Sequence, residues 1–329
     1  MLPQRIDIRE VGVREGAQFH KSAIPAQEKI RLIDLLSDCG FGAIEVASFV
    51  SPKALPQMAD AEEVVSRIKM RPGTIYTAIC LNRAGLARAK ATGRLTIDGL
   101  VLLYSSDAFA RKNVNRSVAE LMDEIPNHIA MLESFGIKEC VVSVSAAFGC
   151  NFSGDVAPQH VVDLIDRAMS IAAEAGGGTR EIILGDTMGW ATPRAVKHLV
   201  DLVQSRWPGI PIRLHLHDTH GLGIANAYAG MEMGVTLFDA AVGGLGGCPF
   251  SGSRGAAGNI VSEDLVHLCN ELGVETGIDF EKLLDAACEA ERIFKRELPG
   301  RNMHAGSLQS YRAAARETAG GIGLAEAGR

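Results

Sequence analysis

The chain has 329 residues, of which 47% are hydrophobic and 22% charged, and its formal net charge is -6. This composition is typical of a globular enzyme, and the acidic balance leaves no basic footprint for nucleic acid or for a membrane surface. The N-terminus lacks the apolar core of a signal peptide, no apolar run reaches the roughly 18 residues of a membrane span, and none of the seven cysteines forms a CxxC pair. We therefore expect reduced thiols and a cytoplasmic location.

Short runs rich in β-branched residues alternate along the chain with longer amphipathic segments. The strand-like runs are 6–12, 43–49, 75–80, 97–105, 140–148, 181–187, 212–218 and 237–244. The helical segments that follow them are 26–40, 59–70, 83–91, 116–135, 158–175, 193–206, 223–233 and 261–272. Eight such repeats without a polar linker predict an α/β fold, a (β/α)8 TIM barrel with additional C-terminal helices. The predicted barrel domain spans 1–300, and 301–329 is a Gly-rich tail, partly helical or disordered.

Polar residues fall repeatedly at the carboxyl ends of the predicted strands. They are, in chain order, Arg14, Glu15, Glu45, Asp186, His215, His217, Cys248 and Asn259. The carboxyl ends of all eight strands meet at one face of such a barrel, so these side chains are expected to converge on one site. Glu45 and Asp186 are hard to explain otherwise, because a charged residue in an apolar strand needs a partner.

The segment RLHLHDTHG, residues 213–221, places His215 and His217 two positions apart in a predicted strand. Side chains at i and i+2 point to the same face of a strand, so the two imidazoles project together. Two imidazoles and a carboxylate make a divalent-cation site, for which Glu15 could supply the carboxylate and Asn259 a neutral oxygen. Such mixed ligands suit Mg²⁺, Mn²⁺ or Zn²⁺. The alternative is that both histidines are core residues satisfied by their neighbours.

Several nearby polar residues also have simpler interpretations. Arg14 beside Glu15 is compatible with a surface ion pair, an arrangement that contributes little to stability. Asp218 and Thr219 are typical caps of the helix that follows. His220 falls past the strand end and breaks the two-residue spacing, so we interpret it as a loop residue.

A glycine-rich segment, GGLGGCPFSGSRGAAGN, surrounds Cys248 and contains seven glycines between residues 243 and 258. Such a loop is able to close over a ligand. A thiol placed there favours exposed chemistry over core packing. We interpret the other six cysteines as apolar fill.

Taken in order, these residues resemble those of the 3-hydroxy-3-methylglutaryl-CoA (HMG-CoA) lyases, members of the metal-dependent DRE-TIM barrel superfamily. The resemblance runs from about residue 5 to about residue 300 and rests on EVGVREGAQ, IEVASFVSPKALPQMAD, RKNVN, LGDTMG, HLHDTHG and GGLGGCP followed by GNIVSEDLV. The combined pattern is far more specific than the two histidines alone. It implies a lyase that cleaves HMG-CoA to acetyl-CoA and acetoacetate, with leucine degradation as the family's usual setting and a homodimer as its plausible form.

The resemblance also implies a role for each matching position. Arg14 would stabilise the enolate oxygen of the departing acetyl-CoA thioester, His215 would take part in proton transfer, and Cys248 would help to protonate the enolate carbon. The implied ligands of a divalent cation, Mg²⁺ or Mn²⁺ in preference to Zn²⁺, are Glu15, His215, His217 and Asn259. Those implied to orient the cation site and the substrate are Glu45 and Asp186. Those implied near the substrate are Arg14, Gln18, Ser48, Ser51, Lys53 and Asn113.

The implied reaction agrees with the residue types. Cleavage deprotonates a tertiary 3-hydroxyl and breaks the C2–C3 bond, and a cation bound to that hydroxyl lowers its pKa. Negative charge then develops on the thioester oxygen, where a fixed guanidinium is most effective. The basic run FARKNVNR, residues 109–116, would lie within reach of the coenzyme A phosphates.

Three departures from the family pattern fall on the substrate side. Glu15 replaces an aspartate, Ser143 stands where the family usually has a tyrosine, and the loop from Cys248 to Asn259 has an apparent two-residue insertion with Arg254 inside it. The hypothesis is that the lyase chemistry is kept while the preferred acyl group differs.

Three other functions compete with HMG-CoA cleavage. The nearest is a lyase for a related 3-hydroxyacyl-CoA such as citramalyl-CoA. Another is a Claisen-condensing acyltransferase of the same superfamily, although those enzymes usually have further C-terminal domains and only about 50 residues, 279–329, follow the eight strand–helix repeats here. The third is a non-catalytic barrel that holds a metal or an acyl-CoA, against which the intact set of candidate site residues argues.

Overall fold

The computed structural model of the chain describes residues 1–247 and 258–326, with side chains up to residue 317. Eight parallel strands form one sheet, numbered here β1 to β8 in chain order. Their bounds are β1 Asp7–Glu10, β2 Ala43–Ser48, β3 Ile75–Ile79, β4 Gly99–Tyr104, β5 Glu139–Ser145, β6 Gly178–Gly185, β7 Ile212–His215 and β8 Leu237–Ala240.

The strands are ordered β3-β2-β1-β8-β7-β6-β5-β4 in the sheet. The end strands β3 and β4 approach each other through a single parallel bridge, Thr77 with Thr96. This is the predicted TIM-barrel arrangement, and it brings the carboxyl ends of all eight strands to one face.

Helices follow each strand and cover the outside of the sheet. Their bounds are Gly12–Phe19, Ala26–Cys39, Ala61–Arg67, Arg83–Ala91, Asp107–Val114, Val118–Asp123, Ile125–Ser134, Pro158–Glu174, Pro193–Arg206, Gly223–Glu232, Ser262–Leu272, Phe280–Phe294, Asn302–Ala305 and Leu308–Glu326. The last three are the C-terminal helices. None of the helices in the described ranges combines the length and the apolar character needed to cross a bilayer.

The predicted first strand, 6–12, is wrong at its C-terminal end. The strand stops at Glu10 because the chain turns into a helix at Gly12, whose N–H donates to Glu10 Oε1 over 2.7 Å. A capping carboxylate of this kind satisfies a backbone donor that the helix itself leaves free. As a result, Arg14 and Glu15 lie on the first turn and a half of a short helix rather than at a strand end.

The predicted seventh strand, 212–218, is also too long. It ends at His215, and His217 instead forms an antiparallel bridge with Asn259. The bridge is flanked by bonds from Asp218 N to Gly258 O, 2.9 Å, and from Ile260 N to Leu216 O, 3.0 Å. Residues 258–260 therefore supply the hydrogen bonds of residues 216–218 in place of a neighbouring barrel strand. Both histidines remain at the barrel mouth.

The predicted helix 116–135 is divided in the structure. A helix, Asp107–Val114, precedes it and ends at Asn115 in the left-handed conformation, with φ 56°. Ser117 then begins a new helix through a capping box with Glu120, a pattern that ends one helix and starts another.

Two carboxyl groups are fully buried outside the barrel mouth. Glu10 accepts hydrogen bonds from Gly12 N, Val242 N and Ser262 Oγ. Glu263 accepts from Gly243 N over 3.0 Å, and its other oxygen has no partner among the described residues. Burial raises the pKa of Glu263 to about 8, because a charged carboxylate is poorly solvated there.

Substitution Glu263→Gln is expected to remove a pH-dependent loss of stability. Between about pH 4.5 and about pH 8 the unfolded chain ionises Glu263 while the folded protein keeps it protonated. The wild type should therefore lose up to about 1.4 kcal/mol of unfolding free energy per pH unit relative to the variant as the pH rises. Urea unfolding across this range measures the difference, with exposed Glu174→Gln as the control. Parallel curves for the wild type and Glu263→Gln would contradict the prediction.

Candidate active site

A cavity of about 390 Å³ lies at the carboxyl ends of the strands and extends down into the barrel. It collects side chains from strands that are far apart in the sequence, as the TIM-barrel prediction requires. The predicted site residues that line it are Arg14, Glu15, Gln18, Glu45, Ser48, Asn113, His215 and His217. Cys248 and Arg254 lie outside the described residues.

Glu15, His215 and His217 form a candidate metal-binding cluster, with one ligand atom from each within 4.8 Å of the others. His215 Nε2 lies 3.2 Å from His217 Nε2 and 3.7 Å from Glu15 Oε1. Two imidazole nitrogens this close need a proton or a cation between them. Ligands bound at right angles about 2.1 Å from a metal lie about 3 Å apart, so the pair fits a shared cation.

The protonation states of His217 and Glu15 suit a cation. Burial and the positive charge of His215 lower the pKa of His217 to about 4, which leaves its ring neutral near pH 7. Burial disfavours the ionised form of Glu15, but the charges of Arg14 and His215 and the hydrogen bond from Asn259 lower its pKa to about 2. Neutral imidazole and ionised carboxylate are the forms that bind metals.

Asn259 contacts the cluster through Glu15. It is fully buried, and its Nδ2 donates to Glu15 Oε2 over 2.6 Å and to Leu245 O over 3.0 Å. Its Oδ1 is buried and has no hydrogen-bond partner among the described residues. An unpaired amide oxygen in the interior costs free energy, and this one is of the type that hard divalent cations accept as a ligand.

Arg14 lies between two carboxylates at the cavity wall. Its Nε donates to Glu45 Oε1 over 2.5 Å, and its Nη2 donates to Glu15 Oε1 over 2.9 Å. Arg14 is therefore the charged partner that the buried Glu45 was expected to need. The alternative of a surface ion pair is wrong, because only 12% of the Arg14 side chain and 8% of the Glu15 side chain are exposed. Arg14 presents a fixed positive charge beside the candidate cation site.

Comparison with known proteins identifies the family to which this chain belongs. Residues 5–288 match the family model described as HMGL-like. The chain belongs to the HMGL-like family. This HMGL-like enzyme is 39% identical to the mitochondrial hydroxymethylglutaryl-CoA lyase of Mus musculus, over 88% of this chain and 86% of that one. It is 38% identical to the cytoplasmic 3-hydroxy-3-methylglutaryl-CoA lyase of Rattus norvegicus, over 87% of this chain and 80% of that one.

A solved structure shares the architecture as well. It is an HMG-CoA lyase from Acinetobacter baumannii in complex with coenzyme A and 3-methylmalate. The two proteins superpose with a TM-score of 0.82 at 34% identity, covering 93% of the HMGL-like chain and 96% of the other.

Asp186 does not line the cavity of the HMGL-like enzyme. It is buried at the end of β6, and its Oδ1 accepts from Ala191 N over 3.0 Å, which braces the turn that precedes the helix Pro193–Arg206. Its Oδ2 is buried without a partner among the described residues, and burial raises its pKa to about 7. Asp186 is therefore buried beside the site without lining the cavity.

The residues predicted near the substrate divide into two groups. Gln18, Ser48 and Asn113 line the cavity, and Asn113 Nδ2 donates to the hydroxyl of Tyr104 over 2.9 Å. Ser51 and Lys53 are exposed and do not line it. They follow β2 in an exposed turn segment.

Several further polar residues that line the cavity of the HMGL-like enzyme were not singled out by the sequence patterns. They include Arg9, Asp98, Tyr104 and Asp239. The argument that identified Glu45, a charge inside an apolar strand, applies equally to Asp239 in LFDAAV, whereas Arg9 lies in IDIRE, which contains three charged residues. Ser143 also lines the cavity, opposite Leu102 in the register of β4 and β5.

Gly246 packs directly against the metal-binding cluster. Its φ is +90°, and a Cβ added there would lie 2.6 Å from Glu15 Cβ and 2.7 Å from Asn259 Nδ2. Gly246→Ala is therefore expected to displace both residues and to lower kcat by roughly 10²-fold, the effect of misplacing a reacting group by about 1 Å.

A matched control separates this collision from backbone strain. Gly209 has a similar φ of +93°, but a Cβ there would meet nothing within 4 Å. Gly209→Ala should lose stability without losing turnover in a steady-state assay. Equal activity losses in both variants would show that strain, and not the contact with Glu15 and Asn259, is responsible.

Proposed function

We propose that this protein is a divalent-metal-dependent lyase that cleaves HMG-CoA to acetyl-CoA and acetoacetate. The observation that supports it most directly is the convergence of Arg14 with Glu15, His215 and His217 in one barrel-mouth cavity. The family membership and the similarity to named HMG-CoA lyases support the same reaction.

The cation would be held by Glu15, His215, His217 and Asn259. Mixed nitrogen and oxygen donors of this kind suit Mg²⁺ or Mn²⁺ and also accept Zn²⁺. When bound, it would supply Lewis-acid polarisation of the substrate's 3-hydroxyl. Glu15 replaces the family's aspartate, and the longer side chain still brings Oε1 to 3.7 Å from His215 Nε2.

Arg14 would stabilise the negative charge that develops on the thioester oxygen as the C2–C3 bond breaks. Its hydrogen bonds to Glu45 and Glu15 hold the guanidinium in place before substrate arrives, so no reorganisation is required in the transition state. Gln18, Ser48 and Asn113 would contact the acyl portion from the cavity wall. The proton that the enolate carbon requires would come with the help of Cys248.

The predicted proton transfer by His215 has a geometric constraint. Its Nδ1 lies 3.0 Å from Asp239 Oδ2, so Nε2 is the nitrogen left to face the cavity. Cation binding and proton transfer would therefore both use Nε2, and one lone pair cannot serve both at once. Proton transfer by His215 stays a prediction.

The acyl-CoA partner is supported by a basic segment beside the cavity. Arg111 and Lys112 are exposed on the helix Asp107–Val114, whose Phe109, Asn113 and Val114 line the cavity. Their charges would attract the coenzyme A phosphates. The relative from Acinetobacter baumannii holds coenzyme A. Homodimerisation, a cytoplasmic location and a role in leucine degradation remain predictions.

A lyase for a related 3-hydroxyacyl-CoA is the second candidate. Ser143, a small residue in place of the family's tyrosine, lines the cavity and leaves room for a different acyl group. Citramalyl-CoA represents this alternative in the test.

The deciding experiment is acetyl-CoA release by metal-stripped protein, with and without added Mg²⁺ or Mn²⁺, from HMG-CoA and citramalyl-CoA in parallel. Metal-dependent cleavage of HMG-CoA is the expected result. Cleavage of citramalyl-CoA alone would keep the mechanism and assign the different specificity to the region of Ser143. No cleavage of either substrate would overturn the proposed function.

A further inference from the structure

Asp239 is a buried carboxylate on β8 that directly contacts a candidate cation ligand. It pairs with His215 in the register of β8 and β7, and only 2% of its side chain is exposed. Its Oδ2 lies 3.0 Å from His215 Nδ1. An ionised carboxylate only accepts hydrogen bonds, so Nδ1 must be the donor in this contact.

Arg9 on β1 fixes the orientation of Asp239. The guanidinium makes two parallel hydrogen bonds to the carboxylate, from Nε to Oδ1 over 2.9 Å and from Nη2 to Oδ2 over 2.8 Å. Arg213 on β7 approaches Oδ1 from the other side at 3.5 Å. A bidentate pair of this geometry restricts rotation of the carboxylate, so Oδ2 stays aimed at His215.

The same ion pairs extend below the site across the barrel. Arg9 Nη1 also reaches Asp98 Oδ2 at 3.3 Å, and Asp98 in turn bonds Arg180 on β6. Arg213 Nε donates to Glu181 Oε1 over 2.8 Å. The network therefore links four strands and the segment before β4 through the carboxylate that contacts His215 Nδ1.

We propose that Asp239, clamped by Arg9, is a positioning residue that holds His215 in its Nδ1–H form with the Nε2 lone pair directed at Glu15 and His217. This proposal depends on the proposed function in one respect: it assumes that the cluster of Glu15, His215 and His217 is the cation site. A carboxylate behind a metal-binding imidazole fixes both its tautomer and its ring orientation.

The informative substitution is Asp239→Asn. The amide has nearly the same shape, but it can donate a hydrogen bond to Nδ1, which favours the tautomer whose proton is on Nε2. That proton would occupy the lone pair needed by the cation. We expect Mn²⁺ affinity, measured by calorimetry on the apo protein, to fall about 10- to 100-fold.

Asp98→Asn is the matched control, because it removes a carboxylate from the same network without touching His215. It should affect thermal stability more than Mn²⁺ affinity. Equal weakening of Mn²⁺ binding by the two variants would mean that the network acts only structurally, which would overturn the proposal.

A measurement on the wild type keeps the proposal testable if Asp239→Asn does not fold. Long-range ¹H–¹⁵N spectra of the metal-free, histidine-labelled protein at mildly alkaline pH report which nitrogen of His215 is protonated, with His215→Gln used for assignment. The expected form has its proton on Nδ1, and a proton on Nε2 would overturn the proposal. Neither readout requires turnover, so a failure of HMG-CoA cleavage is distinguishable from a failure of this inference.

Discussion

Arg14→Gln is expected to lower kcat for HMG-CoA cleavage by roughly 10²- to 10³-fold, the usual cost of removing a group that stabilises developing oxyanion charge. The guanidinium is held beside the candidate cation site by Glu45 at 2.5 Å and Glu15 at 2.9 Å. Its charge matters most when electron density moves to the thioester oxygen. The ground-state complex gains less from it, so KM should change less than kcat.

Two further variants separate this role from a structural one. Arg14→Gln leaves Glu45 buried without its cation, and the double variant with Glu45→Gln removes that unpaired charge. It should recover stability in thermal unfolding but not kcat. Arg14→Lys keeps the charge without the planar fork, so partial activity is expected.

Calorimetry with Mn²⁺ adds a diagnostic readout. Loss of a positive charge 2.9 Å from Glu15 should leave cation affinity unchanged or increase it. Recovery of kcat in the double variant, or a parallel loss of Mn²⁺ binding in Arg14→Gln, would contradict a direct role for Arg14 in the transition state.

Glu15→Gln is expected to weaken Mn²⁺ binding by more than about 100-fold, beyond the range seen when only a supporting partner of a metal ligand is lost. The amide keeps the length of the side chain but not the charge that balances the cation. Cation-dependent turnover should fall with it. Calorimetry and a Mn²⁺ titration of kcat measure the two effects separately.

Glu15→Asp is the matched variant, because it keeps the charge and shortens the side chain by one methylene. It restores the residue type of the family pattern, and Gly246 packs against the Cβ of this side chain. We expect Glu15→Asp to retain Mn²⁺ binding and turnover far better than Glu15→Gln. If the two variants lost Mn²⁺ affinity equally, shape and not charge would be the property that matters, and Glu15 would not be a cation ligand.

Hydrophobic periodicity is sufficient to predict the architecture of this protein. Eight β-branched runs alternate with amphipathic segments, and each needs a partner for its apolar face, which leaves few arrangements besides a (β/α)8 barrel. The two-residue spacing of His215 and His217 likewise predicts that the imidazoles act together. Such inferences are local or repetitive, so they require no knowledge of which strands become neighbours.

Element boundaries depend on contacts that local patterns do not contain. β1 ends at Glu10 because its side chain caps a helix at Gly12, whereas the hydrophobic pattern continues through Val11 and Val13. β7 ends before His217 because residues 258–260 pair with this segment, and His217 forms an antiparallel bridge with Asn259.

The partners of buried charges are decided by the sheet order. Arg9 and Asp239 are 230 residues apart and meet because β1 pairs with β8. Asp239 is visible in the sequence as a charge within an apolar strand, but the free energy of burying it depends on a partner that only the register supplies. Asp186 illustrates the same limit, since its residue type and position predict a cavity residue, whereas its carboxylate accepts a hydrogen bond from Ala191 N and does not line the cavity.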